Sequence, residues 1–365
     1  MTYFRPTVVE VDLEAIRHNV RLLKPEGVRL MAVLKADGYG HGDVPVARAA
    51  LEAGATWLGV ALVEEGIQLR NAGIDARILV LSEFPPGSEK EALAASLTPT
   101  LYTREGLDAL AKAVGPEPVG VHLKVDTGMH RAGLWPPEDA RDFAQEILQR
   151  GLLLEGLYTH FACADEDASG TTKQLRWLLA VADRLRADGV HPMLHAANSA
   201  ATILYPETRL DMVRTGAAMY GIDPGGGIGP RRGVKPALTW KSTVAMVRYL
   251  PAGERISYGW RYTLERDSYV ANVPVGYEDG YLRSLSSRAD VLIRGKRHRV
   301  AGTVTMDQIL VDCGQDEVAV GDEVVLIGKQ GDHRITADEL AALIGTIGYE
   351  IVTAISERVP REYRG

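Results

Sequence analysis

The stretch RLMAVLKADGYGHGDVPVARAALEAGATWLGVAL (residues 29–62) contains two short apolar runs on either side of an amphipathic segment. RLMAVLKA and TWLGVAL are typical of buried strands, and GDVPVARAALEAG between them is typical of a helix. A strand, a helix and a second strand in this order predict two parallel strands joined by a helical crossover. The first run ends in Lys35, whose charge is costly to bury unless the lysine is paired or has chemistry to perform.

The same alternation continues beyond this unit for about 190 residues in all. Helical patterns such as REGLDALAKAVG separate further apolar runs, which we predict as strands: ARILVLS, LTPTLYT, VGVHLKVDTG, LLLEGLYTHFA, HPMLHAANS and RLDMVRTGAAMYG. Eight strands, mostly with intervening helices, predict an N-terminal (β/α)8 barrel of the TIM type, and thus an α/β fold.

The clearest domain boundary is GIDPGGGIGPRRGVKP (residues 221–236), where glycines and prolines cluster. After it come short strands with turns and one helix, TADELAALIG, which predict a small, mostly β domain. We therefore divide the chain into residues 1–230, the barrel, and residues 231–365, the C-terminal β domain. The early strand TVVEVDL precedes the first barrel helix, so residues 1–12 are candidates for pairing with the second domain.

Composition and charge exclude several classes of function. The net charge of −7 argues against a general surface for nucleic acid or anionic membranes. The sequence has no apolar run of membrane-spanning length and no apolar core of a signal peptide near its start, so we expect a cytoplasmic protein. His191 and His195 are four residues apart, but Pro192 and the strand pattern spoil a helical metal pair, and we predict no metal site.

In a barrel of this kind, functional groups gather at the C-terminal ends of the strands. The polar residues at the predicted ends are Lys35 and Tyr39, Lys124 and Arg131, His160, Asn198 and Ser199, and Arg214 with Gly216. Burial among cations lowers the pKa of a lysine and favours the free amine, which can form a Schiff base. This collection predicts an anionic ligand that carries an aldehyde and a phosphate.

The stretch AVLKADGYGHG around Lys35 resembles the pyridoxal-phosphate lysine motif of the alanine racemases. The resemblance continues in family order over nearly the whole chain, through HLKVDTGMHRAG, EGLYTHFACADE, HAANSAA, MVRTGAAMYG, ISYGWRY, VPVGYEDGYLR, GTVTMDQILVD and ISERVPR. Any one of these motifs is weak evidence, whereas their common order is highly specific. The family fold, a barrel followed by a β domain, agrees with the fold predicted from the alternation of strands and helices.

The resemblance implies a role for each matching residue. Lys35 would carry the cofactor as a Schiff base and, with Tyr258, would act as one of two catalytic bases. The residues implied to bind the cofactor are Lys35, Tyr39, His160, Ser199, Arg214, Gly216, Ala217 and Tyr349. The residues implied to bind or position the substrate are Arg131, Met306, Lys124 (carbamylated in many family members) and Asn198, with Tyr277 and Tyr281 near the access channel.

The implied activity is the interconversion of L-alanine and D-alanine in a homodimer with shared active sites, which supplies D-alanine for peptidoglycan. Two alternative functions remain open: an amino-acid decarboxylase of the same fold, and a racemase of broader specificity that also accepts serine. A decarboxylase is expected to place an acidic residue at the pyridine nitrogen, where this sequence has Arg214. A non-catalytic cofactor-binding barrel would lack the second domain, and a barrel aldolase normally carries its lysine on a later strand.

Overall fold

The computed structural model describes residues 4–365, and these residues form two units. The barrel unit comprises Ala15–Gly38 and Gly42–Lys235, and the β unit comprises the described residues up to Glu14, Tyr39–His41 and Pro236–Gly365. The domain boundary between residues 230 and 231 stays a prediction. Of the segment 1–12 considered for pairing with the second domain, residues 1–3 lie outside the described part of the chain.

Strand β1 (Val8–Asp12) belongs to the β unit, and the next eight strands form the barrel. They are β2 (Arg29–Val33), β3 (Trp57–Val60), β4 (Arg77–Val80), β5 (Thr100–Leu101), β6 (Gly120–Lys124), β7 (Leu153–Tyr158), β8 (Met193–His195) and β9 (Met212–Thr215). All four residues of β3 and of β9 are buried, as expected for strands covered on both faces.

The barrel strands pair in parallel in two sheets, ordered β4–β3–β2–β9 and β5–β6–β7–β8. A parallel bridge from Leu79 to Thr98 joins one pair of sheet edges. At the other pair of edges, the Asp211 amide donates to the Leu194 carbonyl at 3.0 Å. The strands therefore close into a ring, which confirms the predicted barrel.

Helices follow most barrel strands, and side chains cap several of them. Asp167 accepts from the amides of Ser169 and Gly170 at the start of the 20-residue α8, and the Thr103 hydroxyl accepts from the Gly106 amide at the start of α6. The helices of this part of the chain are α1 (Leu13–Leu23), α2 (Lys35–Gly40), α3 (Asp43–Glu52), α4 (Val63–Asn71), α5 (Glu89–Ala94), α6 (Arg104–Ala113), α7 (Ala140–Gln149), α8 (Ala168–Ala187), α9 (Ser199–Leu204) and α10 (Ile228–Arg232).

The β unit contains a ten-stranded sheet. Its main path runs β11–β14–β17–β16–β15–β18–β10–β1–β20, with β19 paired to β18, and β12 and β13 form a separate ribbon. The further strands are β10 (Leu238–Thr243), β11 (Met246–Leu250), β12 (Arg255–Ile256), β13 (Tyr262–Thr263), β14 (Ser268–Val273), β15 (Asp290–Ile293), β16 (Lys296–Val300), β17 (Ile309–Asp312), β18 (Glu323–Gln330), β19 (His333–Ile335) and β20 (Arg361–Arg364).

Strand β1 lies inside this sheet, between β10 and β20. Val9 is opposite Trp240 in the antiparallel pair and opposite Arg361 in the parallel pair. From Pro236 onward the unit has two α helices, α11 (Ala337–Ile344) and α12 (Gly348–Thr353), where the sequence predicted one. Helix α12 was missed because six residues are too few to show a helical period.

Candidate active site

Lys35 follows β2 after a single residue, Leu34, and begins α2, a short turn of left-handed backbone. The next three residues, Ala36–Gly38, have φ angles of 54°, 50° and 58°. Such backbone costs about 1–2 kcal/mol for each residue other than glycine, so its surroundings must hold it. The carboxylate of Glu65 accepts the Ala36 amide at 2.7 Å and two further amides at 2.8 and 3.0 Å. Glu65, which sequence reasoning missed, therefore fixes the backbone beside Lys35.

Lys35 and Lys124 lie among other cations of the barrel unit. Burial lowers the pKa of Lys35, and the charge of Arg131 lowers it further, against the opposing effect of Glu65. Burial, followed by the charges of Arg214 and Arg131, lowers the pKa of Lys124 to about 8. Both amines are therefore easier to deprotonate than an ordinary lysine, which suits a nucleophile or a base.

Two of these cations, Lys124 and Arg214, lie near the ring of Tyr158. The Lys124 Nζ is 5.8 Å from its centroid, and the Arg214 Cζ is 5.2 Å from it. Within residues 4–365, none of Lys124, Arg131 and Arg214 forms an ion pair within 4.0 Å. The barrel unit thus concentrates positive charge that its own carboxylates leave unpaired, and an anionic ligand would balance this charge.

Arg131 lies on a loop organised by a buried carboxylate. Asp126 accepts from the amides of Gly128, Met129 and Arg131 at 2.9, 3.0 and 3.2 Å. At Gly133, φ is 142° and a Cβ atom would lie 2.6 Å from the Asp126 amide nitrogen, so only glycine fits. The loop conformation is therefore set by its own hydrogen bonds, while the Arg131 side chain stays exposed.

Arg214 is buried and held by four acceptors. Its Nη1 donates to the Nδ1 of His195 at 3.0 Å, and its Nη2 donates to the carbonyls of Thr159 and Ala196 at 2.6 and 3.1 Å and to the Nδ1 of His160 at 3.4 Å. Burial lowers the pKa of Arg214 to about 10, which leaves it protonated at neutral pH. Burial and the neighbouring Arg214 charge hold the pKa of both histidines well below the ordinary value, so both rings are neutral.

Ser199 begins α9, and Asn198 caps the helix by accepting from the Ala201 amide at 3.0 Å. The Ser199 hydroxyl oxygen accepts from the amides of Gly216 and Ala218 at 3.1 and 3.3 Å. A 3₁₀ helix begins at Ala217, immediately after Gly216. A hydroxyl and the first amides of a helical turn are groups that bind phosphate well.

Two of the predicted phosphate-binding residues belong to the β unit, where they lie together. The rings of Tyr39 and Tyr349 are 6.1 Å apart between centroids, with planes tilted by 51°. Tyr39 is buried, which raises its pKa to about 12 and keeps the phenol protonated. Both tyrosines can therefore act as hydroxyl donors.

Tyr258 and Met306 lie at the surface of the β unit, where 73% of Tyr258 and 51% of Met306 are exposed. Tyr258 opens a short 3₁₀ turn, Tyr258–Trp260, on the rim of a pocket of about 570 Å³. The pocket is lined by Ser257, Tyr258, Gly259, Trp260, Asn272, Thr305, Gln308 and Leu310. Exposed aromatic residues around a pocket are typical of a binding surface.

The two tyrosines expected near the access channel differ in exposure. Tyr277 is exposed, whereas Tyr281 is completely buried, with its ring 5.9 Å from that of Trp240. The hydroxyl of Tyr281 has no hydrogen-bond partner within residues 4–365. A ring with no exposed surface cannot itself line a channel, and the expectation that Tyr281 lies near one stays a prediction.

The barrel unit brings its predicted residues together, but sequence reasoning missed some of their supports. Glu65 lies 29 residues from the amide of Ala36 that it binds, and no pattern connects them. His195 was weighed only as a metal ligand and instead accepts a hydrogen bond from Arg214. His122 was not considered, and it lies next to His195.

Residues 4–365 contain no group of three or more histidine, cysteine, aspartate or glutamate side chains that could hold a metal ion. Within the same residues, no helix is both long enough and apolar enough to cross a membrane.

The chain is similar to known proteins along its whole length. Residues 11–224 match the family model of the alanine racemase N-terminal domain, and residues 237–363 match that of the C-terminal domain. The alanine racemase of Symbiobacterium thermophilum is 52% identical over 369 residues, covering 99% of this chain and 98% of that protein. The alanine racemase of Carboxydothermus hydrogenoformans is 46% identical, covering 98% of this chain and 100% of that protein.

Solved structures of alanine racemases are also similar to this chain over its length. The alanine racemase of Streptomyces lavendulae has a TM-score of 0.95 at 40% identity, covering 100% of this chain and 98% of that chain. The Bacillus anthracis alanine racemase with bound L-Ala-P has a TM-score of 0.93 at 41% identity, covering 100% of this chain and 96% of that chain. The predicted fold class and family resemblance are confirmed. Because both domain families match in order and these relatives are similar along its length, this chain belongs to the alanine racemase family.

Proposed function

We propose that this protein is an alanine racemase that uses pyridoxal 5'-phosphate to interconvert L-alanine and D-alanine. The observation that carries the proposal is the Lys35 amine of lowered pKa just after a barrel strand, beside Lys124, Arg131 and Arg214, which form no ion pair within residues 4–365. Such a site suits a cofactor with an aldehyde and a phosphate, together with a substrate carboxylate. Pyridoxal phosphate and an amino acid supply these groups.

The residues of the chain fit this cofactor. Lys35 would bond to its aldehyde carbon, and the Ser199 hydroxyl with the backbone of Gly216 and Ala217 would bind its phosphate, assisted by Tyr39 and Tyr349. Arg214 would face the pyridine nitrogen, with His160 hydrogen-bonded to the same guanidinium. Within residues 4–365, the hydrogen bonds of Arg214 use Nη1 and Nη2, which leaves its Nε–H to donate to a ring nitrogen. When bound, the cofactor supplies an electron sink that makes the α-hydrogen of alanine acidic enough to remove.

Arg214 also limits the reaction. A guanidinium carries only donors, so it cannot accept a hydrogen bond from a protonated pyridine nitrogen and instead donates one to a bare nitrogen. That nitrogen would therefore stay neutral, and the electron sink would be weaker than one held by a carboxylate. We expect this restraint to disfavour decarboxylation and transamination relative to simple proton exchange.

The substrate carboxylate would be held by Arg131, whose loop is fixed by Asp126. Lys124 would act as a positioning residue, with Asn198 supporting the neighbouring helix start. The lowered pKa of Lys124 favours the free amine that reacts with carbon dioxide, so carbamylation would turn a cation beside Arg131 into an anion. We propose this carbamate as the group that orients Arg131.

Inversion requires that one base removes the α-proton and another delivers a proton to the opposite face. We assign these roles to Lys35 and Tyr258. Tyr258 and Met306 would reach the site from the partner subunit of a homodimer, because their exposed side chains form a surface suited to a second chain. Tyr277, also exposed, would lie near the access channel of the shared site.

The proposed setting is the cytoplasm, where the enzyme would supply D-alanine for peptidoglycan. The net charge of −7 offers no general surface for nucleic acid or for an anionic membrane. We therefore expect alanine and a second copy of the chain as its partners.

The test is to incubate the purified protein with pyridoxal phosphate and either alanine enantiomer. We expect a yellow protein that drives both solutions to equal amounts of L- and D-alanine without release of gas. Carbon dioxide release would indicate a decarboxylase, and equal rates with serine would indicate the broader racemase. A colourless protein that leaves both enantiomers unchanged would refute the proposal.

A further inference from the structure

Three side chains of the barrel interior lie in one hydrogen-bonded row. The Nη1 of Arg214 is 3.0 Å from the Nδ1 of His195, and the Nε2 of His195 is 2.9 Å from the Nδ1 of His122. All three side chains are buried, and the ring of Tyr158 stacks on His195 at 4.5 Å. The row therefore runs from the proposed pyridine-facing residue into the barrel.

The chemistry of these groups allows one proton arrangement. Arginine can only donate, so the Nδ1 of His195 must accept and carry no proton. A neutral His195 then carries its proton on Nε2 and donates it to the Nδ1 of His122. His122 in turn carries its proton on its own Nε2, a buried atom with no hydrogen-bond partner within residues 4–365.

The unpaired N–H at the end of the row is costly. Leaving a buried donor unsatisfied costs a protein stability, and a phenylalanine at position 122 would avoid that cost while filling similar space. The barrel also makes room for the imidazole, since a Cβ at Gly156 would lie 2.4 Å from the Nδ1 of His122. His122 therefore lowers stability through its unsatisfied Nε2–H, while its accepting Nδ1 fits in the space that Gly156 leaves open. Both features indicate that the Nδ1 has a function.

We propose that His122 is a positioning residue for Arg214, acting through His195. By accepting from His195, it holds that ring with its bare Nδ1 towards Arg214 and so fixes the orientation of the guanidinium. Because Arg214 can only donate, it sets the donor-to-acceptor direction of the hydrogen bonds in the row, and the row ends at His122. The functional part of this inference rests on the proposed function, in which Arg214 faces the pyridine nitrogen.

The first test locates the protons in the protein without cofactor. Nitrogen NMR of protein labelled with 15N-histidine distinguishes protonated from bare ring nitrogens, and single His→Gln variants assign His122 and His195. We expect both residues to carry the proton on Nε2, with a scalar coupling across the N–H···N bond between the two rings. A proton on the Nδ1 of either ring would overturn the proposal.

The second test removes the acceptor. In His122→Phe we expect kcat for alanine to fall about tenfold, the effect typical of lost supporting hydrogen bonds, and the visible absorption of the bound cofactor to shift. The KM for alanine should stay within about twofold, because Arg131 is untouched. His122→Asn keeps an oxygen that can accept near the position of Nδ1, and we expect it to restore most of the lost activity.

A third variant perturbs the same atom without removing any polar group. Gly156→Ala pushes a methyl group against the Nδ1 of His122, and we expect it to reproduce His122→Phe. Gly59→Ala is the matched control, because its methyl group meets the flexible end of Met31 at 2.9 Å. Should His122→Phe fail to fold, Gly156→Ala and the proton positions of the parent decide the question.

The outcomes separate this inference from the proposed function. If the parent protein racemises alanine and His122→Phe has the same kcat and cofactor absorption, the inference is wrong and the proposed function stands. A parent that binds no cofactor, yet shows the expected proton positions, would refute the function while the hydrogen-bond chain remains. Equal losses in Gly59→Ala and Gly156→Ala would also count against a specific role of His122.

Discussion

Arg214 in the barrel unit and Tyr258 in the β unit lie in opposite environments. Arg214 is 4% exposed and is held by four acceptors of its own unit, whereas Tyr258 is 73% exposed. The barrel unit therefore preorganises its functional groups by internal hydrogen bonds. Tyr258 lies on an open surface of the β unit, which fits the proposal that a second chain completes its surroundings. Under the proposed function, the barrel unit would prepare the cofactor site by its own hydrogen bonds, whereas the base on the β unit would act only in a site shared with a second chain.

The largest expected effect concerns the barrel unit. Lys35→Ala should abolish the yellow colour and lower turnover by about a thousandfold or more, because it removes both the cofactor linkage and one base. Absorption spectra and a D-alanine assay measure the two losses. Lys112→Ala, on the exposed surface of α6, is the matched control and should behave like the parent. A yellow and active Lys35→Ala would end the whole interpretation.

The second prediction concerns the exposed tyrosine. Tyr258→Phe should keep the yellow colour but lose at least about a hundredfold in turnover, since only the proton-transferring hydroxyl is removed. If Tyr258 serves L-alanine and Lys35 serves D-alanine, the variant should exchange the α-hydrogen of D-alanine with solvent far faster than that of L-alanine. Mass spectrometry in heavy water measures both rates. Tyr249→Phe, another exposed tyrosine, is the control, and equal exchange from both enantiomers would argue against two bases.

The third prediction tests whether charge in the barrel unit is balanced by a modified lysine. Lys124→Ala should raise the KM for alanine about tenfold, as expected when a supporting group of Arg131 is lost. Added chloride or a short carboxylate should restore part of the activity by replacing the missing anion. Steady-state kinetics give the answer, with the exposed Lys173→Ala as control. Unchanged kinetics would mean that other groups position Arg131.

The fourth prediction uses the buried histidines of the barrel. Burial and the charges of Arg77 and Arg214 lower the pKa of His122 to about 3, against about 6.5 in the unfolded chain. Between these pH values the unfolded state binds one more proton, so the free energy of unfolding falls as pH falls below about 6.5. The slope is up to about 1.4 kcal/mol per pH unit for this residue.

His122→Asn should therefore flatten the pH dependence of the free energy of unfolding by about that amount between pH 6 and pH 5. Urea titrations at several pH values measure the slope. His333→Asn, whose side chain is exposed, is the matched control. An identical slope in His122→Asn and the parent would show that His122 is not held neutral by the barrel.

The smallest expected effect is the recovery of a fraction of activity by mixing two inactive chains. If Lys35 and Tyr258 of one site come from different subunits, a heterodimer of Lys35→Ala with Tyr258→Ala has one intact site. Random pairing gives half heterodimers, so roughly a quarter of all sites should work. Co-expression with two affinity tags measures this fraction. Tagged heterodimers without activity would place both bases in one chain.

The sequence by itself determined the barrel, the β domain and the identity of most proposed site residues. Strands buried on both faces are mostly apolar, so WLGV could be recognised locally, while MVRT places its two polar residues at the C-terminal end of an apolar run. Barrel geometry places the residues at the C-terminal ends of the strands on one face, so the sequence alone groups Lys35 with Arg214.

Only the tertiary structure decided what holds those residues and which of them are accessible. His122 and His195 are 73 residues apart and Glu65 is 29 residues from its amide partner, so no local pattern links them. Tyr277 and Tyr281 belong to one motif, yet one is exposed and the other is buried against Trp240. Local sequence carries periodicity and backbone preference, whereas burial and hydrogen-bond partners depend on segments that meet only when the chain folds.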